Sequence, residues 1–335
     1  MKKILLIILI LFFSTSIFPQ NIFSDKRDTT TTECSQKSFN IGSHNSGISF
    51  GNSPVWNGLR FNFSDCNIKE INGINITFWT PERNPSSVIR GIALGLVPFA
   101  GTIKGISLGI VATIAEEKLS GINFGGLATV CNGNIMGINF GGLATVAKGD
   151  LTGINIGGLA VVSEGDQFGI SFGGLATVAK GELKGINFGG LAVVAENDMT
   201  GINVGGLAVV TKGVMKGINF GGLAVVSEGE MTGINSALLA LVSAEGVKGL
   251  SLVGYKIETP IVQGFNVSLG WCDVEDLTGV SIACYNKIKG VQNGVTIGLF
   301  NSATELNGVQ IGLINIAKNN SGIFKVLPFI NIHFD

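Results

Sequence analysis

From residue 105 the apolar and polar positions of the chain recur every sixteen residues. The segment "GINFGGLATVAKGDLT" at 137–152 is followed by "GINIGGLAVVSEGDQF" and preceded by "GINFGGLATVCNGNIM". With the glycine of G-I-N-F as position one, copies begin at Gly105, Gly121, Gly137, Gly153, Gly169, Gly185, Gly201, Gly217, Gly233 and Gly249. The spacing then shortens to fifteen (Gly264, Gly279, Gly294) and fourteen (Gly308, Gly322), and weaker copies begin at Gly47, Gly58, Gly73 and Gly91. Within a copy, Ile138 and Phe140 alternate with Asn139, and the alternation resumes after the double glycine at Leu143 and Thr145. This period of two predicts strands. Several glycines per copy, each costing roughly 1 kcal/mol against Ala in a helix interior, exclude helices. The K-G-D and E-G-D stretches at 148–150 and 164–166 are turn chemistry. The chain is therefore expected to be an all-β array.

Two architectures use such a unit. In a parallel β-solenoid each copy is one coil of 14–16 residues, two short strands with an arch at the glycines, so that like residues stack. In an antiparallel transmembrane β-barrel each copy is one strand. The short copy "GVQIGLINIAKNNS" (308–321) favours the coil. A bend at Gly312 sends Val309, Ile311, Ile314 and Ile316 to one side and Gln310 and Asn315 to the other, whereas a straight strand would place Asn315 among apolar residues. Near-identical alternating hairpins also tend to cancel the stagger that barrel closure requires. Position twelve runs Lys148, Glu164, Lys180, Glu196, Lys212, Glu228: an alternating charge ladder in a solenoid, two rims of opposite sign in a barrel. The ending "VLPFINIHFD" fits the final strand of a barrel, or an edge strand protected by Pro328 and Asp335. The solenoid is the expected fold and the barrel its alternative.

The opening MKK and the apolar run Ile4 to Phe13 predict a signal peptide over 1–20, with no cysteine near the cleavage site to carry a lipid. Residues 21–45 read as a flexible lead-in or cap, 46–104 as divergent repeats, 105–263 as regular sixteen-residue repeats, and 264–335 as shorter repeats with a terminal strand. Fifty glycines with only 13% charged residues belong to an ordered, turn-dense chain and not to a disordered one. The net charge of −1 offers no footprint for nucleic acid. Five cysteines without a C-x-x-C pair support no zinc or redox motif. Cys272 and Cys284 could pair in an oxidising compartment, with buried free thiols the favoured reading.

The units "GINFGGLA" and "GVQIGLINIA" and the ending "LPFINIHF" resemble the surface-repeat proteins of spirochaete and Bacteroidetes-type outer membranes, over roughly residues 47–334. "WNGLRFNFSD" and "INGINITFWTP" extend that likeness toward the N-terminus. The resemblance implies an exported, surface-associated protein without assigned catalytic residues. Gln310, Gly312, Asn315 and Ala317 are also similar to a curlin repeat, in which the glycine segment is an arch between two strands.

Enzymatic and metal chemistry find little support. G-x-S-x-G occurs at Gly47–Gly51, Gly105–Gly109 and Gly169–Gly173, but Ser107 and Ser171 occupy the Asn slot of the repeat, and the only histidines are His44 and His333. Acidic residues recur at position fourteen (Asp150, Asp166, Glu182, Asp198, Glu230) but give too few oxygens per coil for Ca²⁺. The polar insertion "FWTPERNPSS" (78–87) makes Trp79, Glu82 and Arg83 the candidate partner contacts. The expectation is thus a non-catalytic protein without cofactor or metal, exported to an outer membrane or cell surface. Its partner would be a component of that surface or another copy of itself, and a solute-passing barrel is the alternative.

Overall fold

The computed structural model describes residues 37–334; the expected signal peptide and most of the lead-in fall outside the described residues. The chain winds as a parallel β-solenoid. A central coil holds a seven-residue strand and a four-residue strand, for example Leu151–Gly157 and Ala160–Ser163, joined by the arch at Gly158–Leu159 and closed by the turn at Glu164–Asp166. Pairing is parallel and in register from coil to coil: Gly153 faces Gly137 and Gly169, Asn155 faces Asn139 and Ser171, and Ala160 faces Ala144 and Ala176. One strand per repeat in an antiparallel barrel is therefore not the architecture.

Antiparallel pairing occurs at the two ends. Ser38–Ser43 folds back on Ser46–Gly51, and Val326–His333 folds back on Glu305–Ala317. The closing "VLPFINIH" is thus an edge strand. Each end of the stack is finished by a hairpin rather than by an open parallel strand.

Glycine at position one is required twice over. Gly137 has φ +113, and a Cβ there would stand 2.1 Å from the Gly121 carbonyl oxygen of the coil beneath. At the arch, a Cβ on Gly141 would stand 1.9 Å from the Ala144 oxygen, so the sharp reversal between the two strands also depends on the missing side chain.

The sidedness of the strands is the main surprise of the fold. Asn139, Thr145, Ala147 and Leu151 point inward and are fully buried, while Ile138 and Leu143 are each 47% exposed. The interior is consequently two columns. On the apolar side, Leu119, Ile135 and Leu151 and then Leu183, Met199 and Met215 stack without exposure, with the buried Gln167 between the two runs. On the polar side, Asn123 Nδ2 donates to Asn139 Oδ1 and Asn139 Nδ2 to Asn155 Oδ1, each at 2.8 Å; Asn187 to Asn203, Asn203 to Asn219 and Asn219 to Asn235 follow at 2.9 Å. Thr145 Oγ1 crosses the interior to donate to the Ile156 carbonyl at 2.7 Å, and Thr129 and Thr177 repeat that bond. Buried amides are tolerated because, within an unbroken run such as Asn187 to Asn235, stacking at a fixed register pairs each with its neighbours.

The amide ladder is broken where Ser171 and Ser251 replace asparagine. Around Ser171, Asn155 Nδ2, Ser171 Oγ and Asn187 Oδ1 have no hydrogen-bond partner; around Ser251, Asn235 Nδ2, Ser251 Oγ and both polar atoms of Asn266 have none. Toward the N-terminus the same inward slot holds Arg60, fully buried. Arg60 Nη1 donates to Asp65 Oδ1 at 2.5 Å and to Asn75 Oδ1 at 2.7 Å, and Asp65 also accepts from Asn62 and Asn75 at 2.8 and 2.9 Å and from Thr77.

Candidate binding surface

With amides turned inward, the large apolar side chains of the repeat are left outside. Position two forms a row from Ile122 to Ile234, each residue 39–48% exposed, and position seven a row along the arch from Leu127 to Leu239 at 39–52%. Aromatic rings at position four stack face to face, Phe124 on Phe140 at 5.0 Å and Phe172 on Phe188 at 4.9 Å. On the short strand, Ala144 and Val146 are outward and half-buried, whereas their equivalents Val162, Ala176, Val178, Ala192, Val194, Ala208 and Val210 are buried. Seven coil steps separate Leu127 from Leu239, a row about 34 Å long at ~4.8 Å per step. An apolar surface this continuous exceeds what a free soluble protein ordinarily exposes.

Over residues 105–249 charge is confined to the opposite edge. Every Lys, Asp and Glu from 105 to 249 lies at positions twelve to sixteen of its coil. There the alternation at position twelve produces contacts between neighbouring coils: Lys180 Nζ lies 3.4 Å from Glu164 Oε1, and Lys212 Nζ 3.7 Å from Glu196 Oε2. Lys248 lies 2.7 Å from Glu230, and its hydrogen bond holds the Glu230 carboxyl below the ordinary carboxylate value. Glu182 likewise holds Lys184 above the ordinary ammonium value through their hydrogen bond. The Lys180–Glu164 and Lys212–Glu196 pairs contribute roughly 0–1 kcal/mol each, so they set register more than stability.

The acidic turn residues have a structural use that their sequence pattern does not announce. Asp150 Oδ1 accepts from the Asp166 amide at 3.0 Å, Asp166 Oδ1 from the Glu182 amide at 2.8 Å, and Asp198 Oδ1 from the Val214 amide at 2.8 Å. Each carboxylate thus caps the turn of the following coil. Among the described residues no three His, Cys, Asp or Glu side chains converge as metal ligands.

The backbone amides at the arch are paired within the stack. The amides of Gly142, Leu143 and Ala144 donate to Gly125 O at 3.0 Å, Leu127 O at 2.7 Å and Leu127 O at 3.2 Å, and the same set of bonds recurs through Gly222, Leu223 and Ala224. The carbonyls of Gly126, Gly142, Gly158, Gly174, Gly190 and Gly206 accept none of these bonds.

Trp79, Glu82 and Arg83 have different surroundings. Trp79, 53% exposed, continues the arch: its amide donates to Phe63 O at 2.6 Å and its ring stacks on Phe63 at 6.4 Å. Glu82 is exposed, and its amide donates to Asp65 O at 2.7 Å. Arg83 turns to the charged edge, where Nε and Nη2 hold the two Glu116 oxygens at 2.6 and 3.2 Å. Burial raises the Glu116 carboxyl, but the hydrogen bonds from Arg83 and Asn132 and the nearby positive charges outweigh it and leave the group below its ordinary value.

The serines of the three G-x-S-x-G matches are buried in the interior slot, Ser49 against Ser53 at 2.8 Å and Ser107 against Asn123 at 2.7 Å, so none is presented as a nucleophile. Cys272 and Cys284 are both free; Cys272 is buried, as expected, whereas Cys284 is exposed because it sits at the arch. Cys66 is disulfide-bonded. Two apolar grooves flank the arch near the C-terminal end, one of about 660 Å³ between Leu269, Cys284, Leu299, Leu313 and Phe329, the other of about 480 Å³ at Trp271, Tyr285 and Phe300. No helix among the described residues is long and apolar enough to cross a membrane. None of the family models, characterised proteins or solved structures compared with the chain matches it.

Proposed function

We propose that this chain is a non-catalytic binding scaffold, exported to a bacterial outer membrane or cell surface, whose long regular exterior engages a component of that surface. The observation that carries the reading is the inversion of the repeat, with amides packed inside and Ile, Phe and Leu rows outside. A free-standing soluble protein gains nothing from leaving those rows in water, where each well-buried Leu or Ile side chain would otherwise contribute about 1.5–3 kcal/mol. The signal-type segment at 1–20 and the likeness of the units to surface-repeat proteins support export. The three buried G-x-S-x-G serines support a role without covalent catalysis.

The test is fractionation of a Gram-negative host producing the full chain and the chain lacking residues 1–20. The reading expects the full chain in the envelope fraction, with an N-terminus processed between Ser16 and Asn21, and the shortened chain in the cytoplasm. An unprocessed full chain retained in the cytoplasm would refute it.

A further inference from the structure

The two ends of the stack are unequal. At the C-terminal end, several features of Val326–His333 oppose further strand pairing. Pro328 has no N–H to offer, Phe329 takes φ +67, and the pairing with Glu305–Ala317 shifts register between Gly312 and Asn315. The inward amide column is also closed there. Asn331 is 1% exposed, its Nδ2 donates to the Phe324 carbonyl at 3.2 Å, and its Oδ1 accepts from Asn320 Nδ2 at 2.8 Å.

The N-terminal end has none of these devices. Strand Ser38–Ser43 is exposed along its whole length, contains no charged residue or proline, and pairs without interruption with Ser46–Gly51. Read from Gly42 back to Phe39 it spells G-I-N-F, the repeat unit reversed. The antiparallel pairing therefore sets Asn40 opposite the buried Ser49 in the inward column, and Phe39 and Ile41 in the outward rows. Asn40 Oδ1 accepts from Ser53 Oγ at 3.1 Å, while its Nδ2 reaches the neighbouring Ser38 Oγ at 3.3 Å.

The backbone of this strand has a definite free side. His44 and Asn45, at φ +52 and +57, form the two-residue turn that makes Ser43 and Ser46 a hydrogen-bonded pair. The same alternation reaches Lys37, whose carbonyl accepts from the Asn52 amide at 3.0 Å. Phe39, Ile41 and Ser43 thus bond toward Ser46–Gly51, and the N–H and C=O groups of Ser38, Asn40 and Gly42 face away from it.

We propose that this edge pairs antiparallel with the same edge of a second copy, across a two-fold axis at Asn40. Two separate requirements select that occupant and that register. Free backbone groups must meet free backbone groups, and inward side chains must stay inward. With Asn40 opposite Asn40 of the second copy, Ser38 meets Gly42, so each residue with free groups faces another. Phe39 then lies across from Ile41 on the apolar face, and the two Asn40 amides meet in the interior column. A slip of one residue breaks both requirements at once. Because the strand is uncharged, pairing with itself opposes no like charges.

The protected C-terminal strand keeps the assembly from continuing, so it closes as a dimer and not as a filament. The two-fold axis is normal to the sheet of long strands, so both copies turn that face the same way. The dimer doubles the length of the Ile and Phe rows offered to one flat partner, which goes beyond the single-chain scaffold proposed above.

Analytical ultracentrifugation of the full chain tests the proposal, in a mild non-ionic detergent that covers the exposed apolar rows. The chain should sediment as a dimer at micromolar concentration. Asn40→Pro removes an N–H that faces away from Ser46–Gly51, so it should leave circular dichroism unchanged and raise the dimer dissociation constant roughly tenfold or more. Ile330→Lys/Ile332→Lys at the other end, each residue 51% exposed, should leave the dimer intact. In a Cys284→Ser background, a mixture of Phe39→Cys and Ile41→Cys chains should form the mixed disulfide under mild oxidation more efficiently than either chain by itself. If Asn40→Pro misfolds, this cross-link decides.

A monomer at every concentration overturns the proposal. A dimer that Asn40→Pro leaves unchanged, without the mixed cross-link, also overturns it and places the contact on the apolar rows. Loss of the dimer in the Ile330→Lys/Ile332→Lys variant overturns it in favour of the C-terminal strand.

Discussion

Ser171→Asn should stabilise the protein, which is unusual for a substitution at a fully enclosed position. In the present interior, Asn155 Nδ2 and Asn187 Oδ1 face the slot of Ser171 without partners, and Gln167 Nε2 in the neighbouring inward slot is also unpaired. The intact stretch from Asn187 to Asn235 shows what asparagine there would make: one bond accepted and one donated, each near 2.9 Å. Space is available because coils on either side hold asparagine in the same slot with the same register. Two buried amide bonds at a net 0.5–1.5 kcal/mol each give a gain of roughly 1–3 kcal/mol, toward the lower end if water already bridges the gap. Unfolding of a repeat array need not be two-state, so the assay is native-state hydrogen exchange read coil by coil, with protection expected to rise over 153–200. The reciprocal change Asn203→Ser removes two 2.9 Å bonds and should lower protection there by a similar amount. If Ser171→Asn loosens these coils and Asn203→Ser is neutral, the amide ladder is not what holds the interior in register.

Three further outcomes follow from the same packing. Asp65→Asn should cost about 3–5 kcal/mol in the N-terminal coils, since it strands the buried Arg60 guanidinium, and the loss should appear as protease cleavage confined to residues before Gly105. The Arg83 to Glu116 pair should tie down the 78–87 insertion with a pH dependence set by the lowered carboxyl. Its contribution is fully present above the ordinary value of 4.5 and disappears as pH falls through the lower folded value, so proteolysis of the insertion should accelerate in acid and Glu116→Gln should abolish that dependence. Burial pushes the Cys131 and Cys272 thiols up to about 11, so a maleimide at neutral pH should modify Cys284 in the folded chain and reach the other two after denaturation.

The period, the arch and the parallel stacking were legible because glycine leaves a specific trace: Gly137 and its equivalents sit where no Cβ fits, and that constraint repeats with the coil. The division of Gln310 and Asn315 from Val309, Ile311, Ile314 and Ile316 was legible for the same reason, as a bend at Gly312 fixes which residues share a side. Which side faces inward was not. A period of two marks two faces without naming the core, and the usual preference for apolar residues inside points the wrong way for Asn139 between Ile138 and Phe140. Asparagine becomes an interior residue only when its copies stand one coil apart in register, a relation between residues sixteen apart.

Arg60 illustrates a signal that was present and missed. It occupies the asparagine slot of its copy, five residues before Asp65, and a charged residue in an otherwise neutral column marks a buried pair at the end of the ladder. The carboxylates of Asp150 and Asp166 posed the reverse problem, since a repeated acidic turn with too few oxygens for Ca²⁺ reads as a plain solvated turn until their amide partners in the next coil are seen. In the 78–87 insertion, sequence proximity suggested a single contact patch, whereas the coil sends Trp79 to the apolar arch and Arg83 to the charged edge.

Register between coils is tested most directly by paired cysteines on the charged edge. In the solenoid, Glu164 and Lys180 are neighbours with their charged atoms 3.4 Å apart, whereas Glu164 and Glu196 stand two coils apart, about 9–10 Å. Glu164→Cys/Lys180→Cys should therefore cross-link rapidly under mild oxidation, and Glu164→Cys/Glu196→Cys should not. In an antiparallel meander the first pair would lie at opposite rims, separated by an apolar band about 25 Å tall, while the second would share a rim. Efficient cross-linking of the second pair with none of the first would contradict the parallel coil.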